Sequence, residues 1–241
     1  MTMNLSRRRF VGSAAGVVAT GVLFAPDARP AAPPKETGLS SEGLLAGRAG
    51  FQPRTSMPLP HDELPGFLSK EQLALHYADY VQLVERLRRA EQSLRTEQVD
   101  PTTYAELRRT QVAAANGVLL HEFYFTGLAP TKMEPSRYVL RHMDEHMGSL
   151  EAWQQDFRRC ALAAKAWAVL VYDPYDDRWH NTLMDSDDAG VWIGANPLVV
   201  CDVAAAAFST DHQEREDYVA KFLEHIDWEE VARRYRAVDR M

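Results

Sequence analysis

Asn196-Pro-Leu-Val-Val-Cys-Asp-Val-Ala-Ala-Ala-Ala-Phe208 is the stretch on which the reading of the fold turns. Leu198 to Cys201 is a short apolar run with β-branched residues at its centre, which favours a buried strand. Asp202 stands at the exit of that strand, ahead of four alanines, the best helix formers. The pattern predicts a strand that hands a carboxylate to the start of a helix. Such a carboxylate either caps the helix, a common place for Asp, or binds a metal ion. The stretch alone leaves both uses open.

Working outward, Ala166 to Tyr172 reads as a second strand, turned at Asp173 to Asp177 into a hairpin partner at Arg178 to Met184. With Leu198 to Cys201 these make a three-stranded antiparallel sheet. Helical patterns run from Glu134 to His146 and from Leu150 to Ala163 before the sheet. Others are expected from Ala204 and from Trp228 to Arg240 after it. His142 and His146 have the i, i+4 spacing of a surface chelate. The intervening Asp144 and Glu145 leave a weakly apolar stripe, and solvent-facing side chains are predicted there.

Further upstream, Ser69 with Gln72 makes a capping box. Leu73, His76, Tyr77, Tyr80, Val84 and Leu87 then recur at spacings of three and four, the stripe of an amphipathic helix. A Pro-containing turn lies between Thr96 and Thr103. A second helix is predicted from Tyr104 to Phe125, with Val112, Ala115, Leu119, Leu120, Phe123 and Tyr124 on its apolar side and His121 among them. Gly127 and Pro130 stop it. Two long helices with a short connection form an antiparallel hairpin. The fold class is therefore α+β: a helical hairpin followed by a three-stranded antiparallel sheet with flanking helices. Each histidine taken alone reads more readily as a hydrogen-bonded core residue than as a ligand. Two of them on facing helices, with a strand-end Asp, make the donor set of an iron or manganese site.

Composition limits the function. The 241 residues carry a net charge of −7, which argues against nucleic acid and against anionic membrane surfaces as partners. Cys160 and Cys201, the two cysteines, sit in apolar patterns and read as buried free thiols. At the N-terminus, Ser6-Arg7-Arg8-Arg9-Phe10-Val11 precedes an apolar run from Gly12 to Ala25 that is too short to span a bilayer. Paired arginines in that setting resemble a twin-arginine export signal, which carries proteins that fold before export. The chain then divides into a signal at 1–32, a linker at 33–56, a helical hairpin domain at 57–130 and a C-terminal α/β domain at 131–241. An exported protein, periplasmic or extracellular, is expected, with no stable membrane span once the signal is removed.

Five strings in order resemble the iron/manganese superoxide dismutase family. They are Leu59-Pro60 leading to Leu68-Ser69 and His76; Ala115 to Pro130 with His121-Glu-Phe-Tyr-Phe; Gly148-Ser149-Leu150-Glu151; Trp167 to Val171; and Asp217-Tyr218-Val219 with Asp227-Trp228-Glu229-Glu230-Val231-Ala232. The resemblance implies one iron or manganese ion per chain, held by His76, His121 and Asp202. It also implies Tyr124 and Trp167 as catalytic wall residues, superoxide as substrate and a homodimer.

The chain departs from that pattern in several places. The family's aspartate opens a D-x-W-E-H motif whose histidine is the fourth protein ligand, whereas this chain has Asp202-Val203-Ala204-Ala205-Ala206. In the family dimer the motif glutamate reaches the partner's ligand histidine, and here both positions are alanine, Ala205 and Ala206. The gate pair reads Tyr80 and Val84, and the gate's cross-dimer partner position reads Ser209. The glutamine of many iron forms is Gly117, with no clear replacement near Asp187 to Gly190. If Asp202 and Ala206 share a helical face, His212 lies roughly 240° further round that helix and points elsewhere. His180 stays open as a substitute. Two readings result: dismutation at a site lacking its fourth protein ligand, or a weak metal binder, dimer partner or scaffold of the same family.

Overall fold

The computed structural model describes residues 55–96 and 98–239. The leader expected at 1–32 and nearly all of the linker at 33–56 lie outside the described residues. Helix α1 spans Lys70–Thr96 and α2 spans Pro101–Thr126. Helices α3, Arg137–Met147, and α4, Leu150–Ala163, precede strands β1, Trp167–Asp173, β2, Arg178–Met184, and β3, Asn196–Asp202. A 3₁₀ turn at Ala205–Ala207, then α5, Arg215–Glu224, and α6, Trp228–Val238, follow. The sheet order is β2-β1-β3 with both pairings antiparallel, so the fold is the α+β arrangement expected. β1 is central and buried along nearly its whole length, which explains its continuous apolar run.

The local chemistry sets each boundary. Pro101 does not interrupt a helix but starts one: it occupies the first turn of α2, where a missing N–H costs nothing. Asp100 caps it through hydrogen bonds from the Thr102 and Thr103 amides. Helices α3 and α4 are capped by Ser136 and Ser149, whose hydroxyls accept from the amides three residues on. α3 thus begins three residues later than the pattern suggested, at the first position a serine can cap.

The expected capping box at Ser69 is half formed. The Ser69 hydroxyl accepts from the Gln72 amide, but the Ser69 amide goes to Asp211 instead of to the Gln72 side chain. Gln72 has other partners, described below. The apolar side of α2 is partly rotated from the predicted one: Val112 is exposed and Ala114, Gly117 and Val118 are buried, while Leu120, His121 and Tyr124 are buried as expected.

The helix expected from Ala204 is absent. One 3₁₀ turn stands there, and the next helix starts only at Arg215. Four alanines are too few to meet the cost of nucleation, and the Asp202 carboxylate ties the Ala204 amide at 2.8 Å in a turn rather than a helix cap. His142 and His146 also differ from expectation. Neither is exposed, for α3 presses both against Trp179 and Tyr235. Both cysteines are free thiols; Cys201 is buried and Cys160 half-buried.

Candidate metal centre

His76 lies on the inner stripe of α1 between Leu73 and Tyr80, all three buried. The stripe exists because the spacing of three and four keeps these side chains on one helical face. His121 comes from α2, opposite α1 in the hairpin. Its Nδ1–H donates to the carbonyl of Gly117, one turn back, at 2.7 Å. A carbonyl only accepts, so the proton is on Nδ1 and the lone pair on Nε2. Asp202 is the last residue of β3, directly beside Trp167 in the β1–β3 register.

These three side chains converge. Asp202 Oδ2 is 2.9 Å from His76 Nε2 and 4.0 Å from His121 Nε2. One donor atom from each lies within 4.8 Å of the others. Exposure is 1% for His76, 6% for His121 and 4% for Asp202, so water contributes little to satisfying them. Asp202 divides its oxygens: Oδ1 holds the Ala204 amide in a turn and Oδ2 faces the imidazoles.

The donor chemistry fits a cation. His76 Nε2 lies within hydrogen-bond distance of the carboxylate, and the second imidazole offers its lone pair toward the same oxygen. Burial pushes the His121 pKa below the ordinary histidine value, His76 adds to this, and Asp202 and the Gly117 carbonyl oppose it. The imidazole is therefore neutral near pH 7, the form that binds metal. Two imidazoles and one carboxylate are the donors of mononuclear iron and manganese sites.

Aromatic rings enclose the centre. The Tyr124 ring is 5.0 Å from the His76 ring, and its hydroxyl pairs with that of Tyr218 at 3.1 Å. Burial pushes the Tyr124 pKa well above the ordinary phenol value, so it keeps its proton. The Trp167 ring meets His121 edge-on at 4.9 Å, and its Nε1–H donates to Asp187 Oδ1 at 2.8 Å.

Asp187 is the residue that sequence reasoning missed. A Cβ at Gly117 would lie 2.7 Å from Asp187 Oδ2, so the carboxylate fills the space left by the missing side chain. A glycine inside a long helix was the available signal, since it marks a close approach; its partner, 70 residues away, leaves no local trace. Tyr80 is committed elsewhere: its hydroxyl donates to Glu122 Oε1 and accepts from the Met57 amide, both at 2.8 Å.

The other candidates do not join the cluster. Ala206 is exposed on the 3₁₀ turn, so the helical face proposed for Asp202 and residue 206 does not exist. Gln72 grips this loop: its Nε2 donates to the Ala206 carbonyl at 2.7 Å and its Oε1 accepts from the Thr210 amide at 2.8 Å. His212 Nε2 donates to the Phe67 carbonyl at 2.8 Å, away from the centre. His180 pairs with Asp176 at 2.9 Å in a separate acidic group.

Residues 135–234 match the family described as iron/manganese superoxide dismutases, C-terminal domain. "Superoxide dismutase [Mn] 2" of Haloferax volcanii is 30% identical over 184 residues, covering 74% of this chain and 92% of that protein. "Superoxide dismutase [Fe]" of Aquifex aeolicus is 30% identical over 181 residues, covering 70% and 84%. "Superoxide dismutase [Fe]" of Methanothermobacter thermautotrophicus is 28% identical over 198 residues, covering 78% and 96%.

Proposed function

The chain belongs to the iron/manganese superoxide dismutase family, and on that premise we propose that it holds one iron or manganese ion on His76, His121 and Asp202 and dismutes superoxide there. The observation that carries this reading is the convergence of three buried donors from α1, α2 and β3 on one point. When bound, the metal supplies one-electron redox between its divalent and trivalent states. Two superoxide anions and two protons give one dioxygen and one hydrogen peroxide.

The protein residues set the conditions for that chemistry. His121 keeps Nε2 free because Gly117 holds its other nitrogen, and Asp202 is fixed by the backbone amide it accepts from. Residual exposure of a few per cent at His121 and Asp202 restricts access to a small substrate. The Tyr124 and Tyr218 hydroxyls hold protons beside His76, and Asp187 fixes Trp167 against His121.

The fourth position of the family motif is Ala206, which has no donor atom in its side chain, so the ligand set we propose has three protein members. A second reading rests on the same residue. Ala206 is exposed and its carbonyl is tied to Gln72, which suits a weak metal binder, dimer partner or scaffold. The twin-arginine leader supports export to a periplasmic or extracellular location, and the family supports a homodimer. The division at residue 130 into a hairpin domain and an α/β domain belongs to the same proposal.

Metal analysis of the purified protein beside a xanthine oxidase-coupled superoxide assay tests this. Close to one iron or manganese per chain is expected, with affinity falling ~10-fold or more in His121→Ala and in Asp202→Ala. Low occupancy with no acceleration of superoxide decay would favour the second reading. Metal content indifferent to both substitutions would remove the centre altogether.

A further inference from the structure

Helix α3 carries a second group of ligating side chains, on the side facing β2 and α6. His142 and His146 are one turn apart on one face, and Glu145 stands beside them. Their donor atoms lie within 4.8 Å of one another. The imidazoles are parallel, with centroids 5.7 Å apart, and sit in an aromatic cradle: Tyr138 and Tyr235 edge-on to His142, and Trp179 stacked on His146.

The cradle leaves nitrogen atoms unsatisfied. Nδ1 of His142 and both ring nitrogens of His146 are buried with no hydrogen-bond partner among the described residues. His142 is only 9% exposed, and its Nδ1 points toward Glu145 Oε2 at 3.8 Å. Buried polar atoms without partners are rare and call for an explanation. An exposed carboxylate beside two dry imidazoles provides one.

We propose that His142, His146 and Glu145 form a second metal site, independent of the central one, which takes a divalent cation of the zinc–copper class. Imidazole suits ions at that end of the first-row series, and two imidazoles with one carboxylate leave a fourth position for water. A tetrahedral ion needs its donors about 3.3 Å apart. Closing the present spacing to that value requires the two parallel imidazoles to tilt toward one another and the exposed Glu145 to rotate in. Arg141, also exposed, approaches His142 Nε2 at 3.2 Å and must swing aside if the ring proton moves to that nitrogen. Burial also pushes the pKa of both histidines below the ordinary value, so both are neutral near pH 7. Arg141 and Arg178 reinforce that trend, whereas Glu145, Asp177 and Asp239 oppose it.

The Asp173, Asp176 and His180 group does not share these features. It is more open to solvent, and His180 already has a carboxylate partner at 2.9 Å.

Equilibrium dialysis of the full protein against Zn2+, with iron, manganese and zinc all counted by mass spectrometry, tests the site. One zinc per chain is expected to bind without loss of the iron or manganese present. His146→Gln is expected to weaken zinc binding ~10-fold or more and to leave iron and manganese content unchanged. Glu145→Ala alters an exposed side chain, so the fold is retained, and it is expected to weaken zinc binding too. Zinc uptake equal in all three proteins, or uptake only in exchange for iron or manganese, overturns the proposal.

Discussion

At Gly117 a single missing side chain sets the surroundings of His121. A Cβ there would press on Asp187 Oδ2 at 2.7 Å and on Leu83 Cδ1 at 3.1 Å. Replacing glycine by alanine inside a helix normally stabilises it by ~1 kcal/mol. Here the added methyl displaces a carboxylate that accepts the Trp167 Nε1–H, a charge-assisted bond worth ~1.5–3 kcal/mol. Gly117→Ala is therefore expected to destabilise the protein by ~1 kcal/mol in the natural background and to stabilise it by a similar amount once Asp187→Ala has cleared the space. Urea unfolding of the four proteins in this cycle measures the coupling. Effects that add within ~0.5 kcal/mol would show that the two residues do not share the space. The same pair shows the reach of sequence reading at this scale. His76, His121 and Asp202 were legible because each sat on a regular stripe or at a strand end. Asp187 sits in an irregular loop, and although the family pattern pointed to the stretch from Asp187 to Gly190, nothing local marks its carboxylate as the partner of Gly117.

At the scale of elements, periodic segments were readable and the connections between them were not. The stripe of α1 and the buried run of β1 follow from local pattern, whereas the start of α3 is read three residues early because its Ser136 cap is not recognised. The alanine run did not, because helix propensity is small per residue and a helix needs a nucleus. What shapes residues 202–210 is Gln72, whose amide grips Ala206 and Thr210 from 134 and 138 residues away. Arg234 on α6 has a comparable role and was equally invisible. Its guanidinium donates to the Leu198 carbonyl of β3, to the Phe123 carbonyl and Thr126 hydroxyl of α2, and to Glu230, while lying over the Phe123 ring. Gly127 admits it, since a Cβ there would meet both terminal nitrogens at 3.3 Å. Arg234 thus ties the helix that bears His121 to the strand that bears Asp202. Arg234→Met leaves the Leu198 and Phe123 carbonyls without this donor, at ~1–3 kcal/mol each, while Glu230 keeps its bonds from Arg233, so a loss of ~2–5 kcal/mol is expected. Thermal unfolding with metal analysis checks it: the midpoint and the metal retained are expected to fall together. A loss below ~1 kcal/mol would mean that water replaces the arginine without cost.

At the scale of the whole molecule, the export proposed above depends on the fold. Among the described residues the first tertiary anchor is Met57, whose amide donates to the Tyr80 hydroxyl and whose carbonyl accepts from that of Tyr77. No described helix is long and apolar enough to cross a membrane. The paired arginines Arg7 and Arg8 lie ahead of this unit, and a twin-arginine signal implies that the chain folds before it crosses. That reading makes export depend on stability. Arg7→Lys with Arg8→Lys is expected to leave the protein inside the cell, folded, with the thermal midpoint of the natural chain. Arg234→Met with the natural leader is expected to lower the exported fraction in step with its lost stability. Joined instead to a general secretory signal, which passes unfolded chains, the same variant should cross as well as the parent before folding. Pulse-labelling with fractionation measures all three. Undiminished export of the double lysine variant would assign the leader to the general secretory route. Undiminished export of Arg234→Met behind its own leader would show that crossing does not wait for the fold.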